Sequence, residues 1–285
     1  MNYDEQLKHL IDEAFKEDVG DGDHSTLSCI AADKRGRAIL KIKEGGILAG
    51  IKVAEKIFRH REPEILFNSI KADGEEMQAG ETAFEVEANV HTILKCERLV
   101  LNCMQRMCGI ATLTRKFVDK LSGFKTGILD TRKTTPNFRL LEKEAVRIAG
   151  GKNHRFGLYD MIMLKDNHID YCGGIENAID MAYYYVLQSM PELKIEIETR
   201  NLLDVQKVVN VGSGKVFRIM LDNFSPQQIT EALKIIDGLF ETEASGGISL
   251  DNIEDFAKTG VDFISVGALI HQAKSLDLSL KAQIL

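Results

Sequence analysis

The sequence predicts an α/β chain: an N-terminal α+β sandwich-like domain followed by a C-terminal parallel βα barrel of six or seven strands. Three observations predict it. From Thr126 onward, short apolar runs alternate with helical stripes, and strand ends fall near Asp130, Lys165, Glu198, Asp222, Glu243/Ser245 and Ser265/Gly267. Those ends lie roughly 20 to 35 residues apart, the length of βα units that give parallel strands with right-handed crossovers. Before Thr92 the pattern is different: short alternating runs (AILKIKE, GILAGI, ILFNSI, TAFEVEA) separated by Gly, Asn and Asp read as a small antiparallel sheet. Finally, every barrel strand ends on a polar group, the position where such barrels carry their chemistry. An eight-stranded barrel usually needs ~250 residues and only about 145 are available here, hence six or seven strands.

Taken in order, residues 3–17 form a helix with Leu7, Leu10, Ile11 and Ala14 on one face. The adjoining stretch DVGDGDHSTLS reads as a solvated turn, since its DGD lacks the later ligands of a calcium loop. Arg37 to Val90 make the α+β domain, with a helix near Lys52–Arg59. Thr92 to about Leu121 is one long helix with Ile93, Leu94, Val100, Leu101, Met104, Met107 and Ile110 as its apolar positions, Met and Cys acting as core filler. The barrel helices are expected at 137–148, 174–189, 201–210, 226–237 and 249–258. The domain division is then 1–112 and 113–271, with 272–285 packing back on the first domain.

Composition excludes several classes of function. Lys+Arg 36 against Asp+Glu 43 gives a net charge of −7, so nucleic acid is not a partner for the surface as a whole, and a local cationic cluster is the more telling for it. No apolar run approaches ~20 residues and the N-terminus is a charged amphipathic helix, so neither a membrane span nor a signal peptide is expected and the location is cytoplasmic. Five cysteines, odd in number and without paired CxxC spacing, read as reduced thiols.

The chemistry concentrates between Leu129 and His168. Arg132, Lys133, His154, Arg155 and Lys165 leave strand ends or the loop between them, a poor way to build a core and a good way to hold a multiply anionic small molecule. Glu198 and Asp222 end apolar strands beside those cations, as hard-oxygen groups for Mg²⁺ shared with a polyphosphate, or for ribose hydroxyls. Glu196 shares the strand face of Glu198 by alternation, so spacing alone leaves the functional carboxylate open. Ser245-Gly246-Gly247, opening a helix near Leu250, and Ser265-Val266-Gly267 with His271 are Gly-rich turns of the kind that bring backbone N–H groups to a phosphate.

The runs DTRKT, NHR and KDNH, with CERLVLNCMQRMCGIAT, IEIET, IMLDN, EASGGI and ISVGALIH, resemble the signature of the quinolinate phosphoribosyltransferase family over most of the chain. The resemblance implies the type II phosphoribosyltransferase fold and the reaction of quinolinate with phosphoribosyl pyrophosphate to nicotinate mononucleotide, pyrophosphate and CO₂. It implies quinolinate ligands Arg98, Arg132, His154, Arg155 and Lys165, with Arg98 delivered across the interface of a homodimer or an assembly of dimers. Phosphoribosyl pyrophosphate falls to Lys133, Glu198, Asp222, Ser245, Gly246, Gly247, Ser265, Gly267 and His271, the catalytic roles to Lys133, Lys165, Glu198 and Asp222, and Mg²⁺ to Glu198 and Asp222, directly or through water. Asn137 stands where such loops often carry Gly, and Asn tolerates a left-handed backbone. His24 stands where an aliphatic residue is common and reads as surface variation. The rival readings are a paralogue that acts on nicotinate or serves metal uptake, and an aldolase-like lyase with Lys133 or Lys165 as Schiff base.

Overall fold

The computed structural model describes residues 2–283, whose contacts divide into two units: Met1–Arg115 with Thr134–Gly150 and Leu269–Leu285, and Lys116–Lys133 with Gly151–Ala268. In chain order the elements begin α1 (Tyr3–Val19), α2 (His24–Cys29), β1 (Arg35–Ile42), β2 (Gly46–Ile47), α3 (Ile51–Arg61), β3 (Leu66–Ser69), β4 (Glu76–Met77), β5 (Thr82–Asn89) and α4 (Val90–Lys120). They continue with β6 (Gly127–Leu129), α5 (Arg139–Ile148), β7 (Ile162–Leu164), α6 (Asp166–Cys172), α7 (Ile175–Ser189), β8 (Ile195–Thr199), α8 (Leu202–Gly212) and β9 (Arg218–Asp222). The chain closes with α9 (Pro226–Ile236), β10 (Glu241–Ser245), α10 (Ile253–Ala257), β11 (Phe263–Ser265), α11 (Ala268–His271) and β12 (Leu278–Gln283).

In the first unit, α1 starts on a capping box in which Asn2 and Glu5 satisfy each other's backbone N–H, and it buries Leu7, Ile11 and Phe15, one per helical turn. Its sheet is antiparallel in the order β12-β1-β5-β3, with Leu40 of β1 opposite Leu280 on one side and Phe84 on the other. Residues 284–285 of the C-terminal segment lie outside the described residues. Two features differ from the sequence reading. DVGDGDHSTLS is not all turn: Asp23 accepts the Thr26 N–H at 3.1 Å and so caps α2, whose Thr26 is buried. Thr134–Gly150, with α5, groups with the first unit although strand-helix alternation assigns it to the barrel, because Arg106 of α4 pairs with the fully buried Glu142 and Arg115 donates to the Ala149 carbonyl at 3.1 Å. Of the apolar positions read on α4, Leu94 alone is exposed; Cys96, Cys103 and Cys108 are buried free thiols, and burial pushes each up to about 12.

The second unit carries six parallel strands in the order β6-β11-β10-β9-β8-β7, open between β6 and β7 apart from a parallel bridge from Leu129 to Lys152. The barrel strand count is therefore six. β8 (IEIET) is buried along its whole length, with Glu196 and Glu198 on one face and Ile195, Ile197 and Thr199 on the other. The helices between strands begin on strong caps: Asn201 for α8, and for α9 Ser225 in a capping box with Gln228, ahead of Pro226. Helix α10 is shorter than the expected 249–258, because the Asn252 side chain accepts the Ser249 N–H and donates to the Gly247 carbonyl, holding 247–252 as a turn. Among the described residues no helix is long and apolar enough to cross a membrane.

Candidate active site

Because all six strands of the second unit are parallel, their carboxyl ends share one edge, which displays Asp130, Lys165, Glu198, Asp222, Ser245 and Ser265. Asp130 is fully buried, and its Oδ1 accepts the His154 backbone N–H at 2.8 Å, tying the loop before β7 to the end of β6. On that loop Arg155 is buried, yet its guanidinium reaches only the Met161 carbonyl (3.3 Å) and the Met163 thioether (3.6 Å), and it takes part in no ion pair among the described residues. Burial, and then the charge of Arg132, pull its pKa below the usual arginine value. Two like charges close together at a strand edge are chemically suited to an anion. Arg132, Lys133 and Lys165 are exposed.

The two carboxylates read from the strand ends are brought together. Burial and the neighbouring Asp222 push the Glu198 pKa up, while Lys165 (Nζ 3.8 Å away) and the Asp166 backbone N–H oppose the shift. Two oxygen-only groups in mutual repulsion fit a hard divalent cation. Asp222 accepts from Asn223 Nδ2 at 2.6 Å, and the Asn223 N–H donates to the Ser245 carbonyl at 2.8 Å, stapling β9 to β10 at the edge. Gly246 (φ 94) and Gly247 (φ 65) come next in the left-handed region, and a Cβ at Gly246 would collide with the Asn223 side chain. Gly267 leads into α11. Arg98, exposed on α4, and His271, exposed at the end of α11, belong to the first unit.

The chain matches the family model "Quinolinate phosphoribosyl transferase, C-terminal domain" over residues 110–281 and the corresponding N-terminal domain model over residues 23–108. The chain belongs to the quinolinate phosphoribosyltransferase family. It is 43% identical to a chloroplastic nicotinate-nucleotide pyrophosphorylase [carboxylating] of Arabidopsis thaliana, covering 96% of this chain and 82% of the relative. A probable nicotinate-nucleotide pyrophosphorylase [carboxylating] of Bacillus subtilis is 41% identical, covering 96% and 93%. The crystal structure of NadC from Streptococcus pyogenes superimposes with a TM-score of 0.91 at 38% identity, covering 98% of this chain and 97% of that one. The α/β architecture with its six-stranded parallel sheet is the type II phosphoribosyltransferase fold.

Below the strand edge this family member carries a buried charged layer that the sequence reading missed. His154 Nε2 lies 3.0 Å from Glu196 Oε2 and 3.4 Å from Glu243 Oε2, and Arg218 Nη1 lies 3.0 Å from Glu243 and 3.6 Å from Glu196. Burial disfavours a charged ring, while the two carboxylates draw a proton onto Nε2. A cationic ring would need a proton on each nitrogen, whereas Nδ1 receives the Arg155 N–H at 2.7 Å; that hydrogen bond decides the tautomer, neutral with its proton on Nε2. His154, expected from sequence among the anion ligands, thus has both ring nitrogens engaged inside the unit. Ser265, read as a phosphate ligand, is buried with its hydroxyl on Glu243. The ligand atoms of His154, Glu196 and Glu243 lie within 4.8 Å of one another, a spacing that would also suit a metal ion, but Arg218 already supplies the positive charge there. The period-2 pattern that puts Glu196 beside Glu198 was the available signal; that Arg218 and Glu243 meet it on neighbouring strands depends on sheet order.

Proposed function

We infer that this chain transfers the phosphoribosyl group of phosphoribosyl pyrophosphate to quinolinate with loss of CO₂, giving nicotinate mononucleotide and pyrophosphate. The observation that carries this reading is Arg155, a buried guanidinium with no ion-pair partner among the described residues, beside Arg132. A planar fork matches a carboxylate bidentately, and a second cation close by suits a second carboxylate on the same ring. In this reading quinolinate lies against Arg132, Arg155 and Lys165 with His154 next to it, and Arg98 completes the pocket across the interface of a homodimer. Lys133, Ser245–Gly247, Gly267 and His271 take the phosphate groups of the second substrate.

The quinolinate ring nitrogen donates its lone pair to the anomeric carbon as the bond from that carbon to pyrophosphate breaks. Glu198 and Asp222 oppose the positive charge that develops on the ribose, and Lys133 and Lys165 oppose the negative charge on the departing pyrophosphate. The ring nitrogen, now quaternary, accepts the electron pair released when the adjacent carboxylate leaves as CO₂, and a proton takes its place on carbon. Mg²⁺, held at Glu198 and Asp222 directly or through water, would supply charge neutralisation for the pyrophosphate. Neither Lys133 nor Lys165 sits in an apolar pocket of the kind a Schiff-base lysine needs, since both are exposed. The enzyme acts in the cytoplasm.

The test is incubation of the purified protein with phosphoribosyl pyrophosphate, Mg²⁺ and either quinolinate or nicotinate. Nicotinate mononucleotide and CO₂ from quinolinate alone support the reading; product from nicotinate alone, or from neither, overturns it.

A further inference from the structure

The layer of His154, Glu196, Arg218 and Glu243 occupies interior positions that such barrels normally fill with branched aliphatic residues. Taking two carboxylates and a guanidinium out of water is costly, and well-packed apolar side chains of similar volume usually serve stability at least as well. Its contribution therefore lies in orientation. The two Oε2 atoms converge on one imidazole nitrogen, and the opposite ring nitrogen receives the backbone N–H of Arg155. The His154 backbone N–H is fixed separately by Asp130. Arg218 holds Glu243 from below, with its guanidinium 4.7 Å from the Phe263 ring centre, and Ser265 holds it from β11. Three strands thus clamp His154, and His154 clamps the turn from which the Arg155 side chain departs.

We propose that Glu196 and Glu243 are positioning residues for the dicarboxylate substrate: they lock the His154 imidazole, and through it the backbone at Arg155, so that the Arg155 guanidinium is presented in one orientation. This rests on the reading of Arg155 as a quinolinate anchor. The effect of disturbing the layer falls chiefly on quinolinate: Arg155 departs from the turn that His154 holds, whereas the donor's ligands Glu198 and Ser245 are joined to the layer only along the strands they share with Glu196 and Glu243.

The experiment measures KM for each substrate and kcat in full-length Glu243→Gln and Glu196→Gln, with Arg155→Leu as reference, and records ¹⁵N-histidine spectra of each. Glu196→Gln is the milder change, since Arg218 is 3.6 Å from Glu196 against 3.0 Å from Glu243, so one variant remains informative if the other fails to fold. A rise in quinolinate KM of roughly tenfold or more, with donor KM within about twofold, is expected, together with loss of the His154 Nε2–H signature. A folded variant with unchanged quinolinate KM, or with both KM values raised equally, overturns the proposal. If Arg155→Leu itself leaves quinolinate KM unchanged, the parent reading has failed; if Arg155→Leu raises it and the Gln variants do not, only the positioning role has.

Discussion

Arg106 on α4 and Glu142 on α5 form an ion pair in which Nη2 lies 2.8 Å from Oε1, and the pair fixes two segments of the first unit at once. The other guanidinium bonds run to the Ala273 and Ile270 carbonyls (2.7 Å each), while Glu142 accepts the Thr135 backbone N–H at 2.8 Å and its hydroxyl at 3.0 Å. Glu142 is fully buried, so removing either partner strands the other. Glu142→Leu is expected to cost about 3–5 kcal/mol of unfolding free energy, and Arg106→Met combined with Glu142→Leu less than the sum of those two single changes. Urea denaturation of the four proteins checks this, and additive losses would count against a single cooperative clamp.

Close packing also predicts an unusual helix substitution. Gly109 lies inside α4, where Ala would normally add up to about 1 kcal/mol. Here a Cβ would fall within the Lys274 carbonyl. Gly109→Ala is therefore expected to destabilise by about 1–3 kcal/mol, read as a lower denaturation midpoint, and a stabilised variant would contradict the contact.

The division of roles at the strand edge separates the substrates kinetically. Arg132→Ala is expected to raise KM for quinolinate far more than for phosphoribosyl pyrophosphate, and Asp222→Ala to do the reverse or to lower kcat. Equal losses on both sides would undo the division.

Glu198 supplies a pH prediction. Burial, then Asp222, place its folded pKa above the ordinary 4.5. The ionised form is thus disfavoured by folding, so this group's destabilisation is absent below about 4.5 and develops as pH rises through the raised folded pKa. Without divalent cation, Glu198→Gln is expected to melt above the parent at neutral pH, with the gap closing as pH falls towards 4.5. Melting curves across that range decide it; a gap that widens in acid would refute the sign. The same substitution is expected to lower kcat, the usual exchange of stability for function.

Much of this site was legible because its parts are local. A parallel strand ending on Lys165, Asp222 or Ser245 can be read from a few apolar residues and the polar group just after them, and Asn137, expected to tolerate a left-handed backbone, has φ 61. The hidden parts are those decided by distance along the chain. Glu142 and Arg106 lie on different elements, and no periodicity marks them as a pair. Glu196, Arg218 and Glu243 meet because β8, β9 and β10 are neighbours, with Arg218 in register with both Glu196 and Glu241. The helix at 24–29 was hidden for a smaller reason: one capped turn inside a Gly/Asp-rich stretch looks like a loop.

The most direct test of the central claim, that Arg155 stands ready for a carboxylate, is calorimetric titration of quinolinate into the parent protein and into Arg155→Leu. The account predicts a loss of about 3 kcal/mol, on the order of a hundredfold in Kd, with the fold intact by circular dichroism. Equal affinity for both proteins would contradict it.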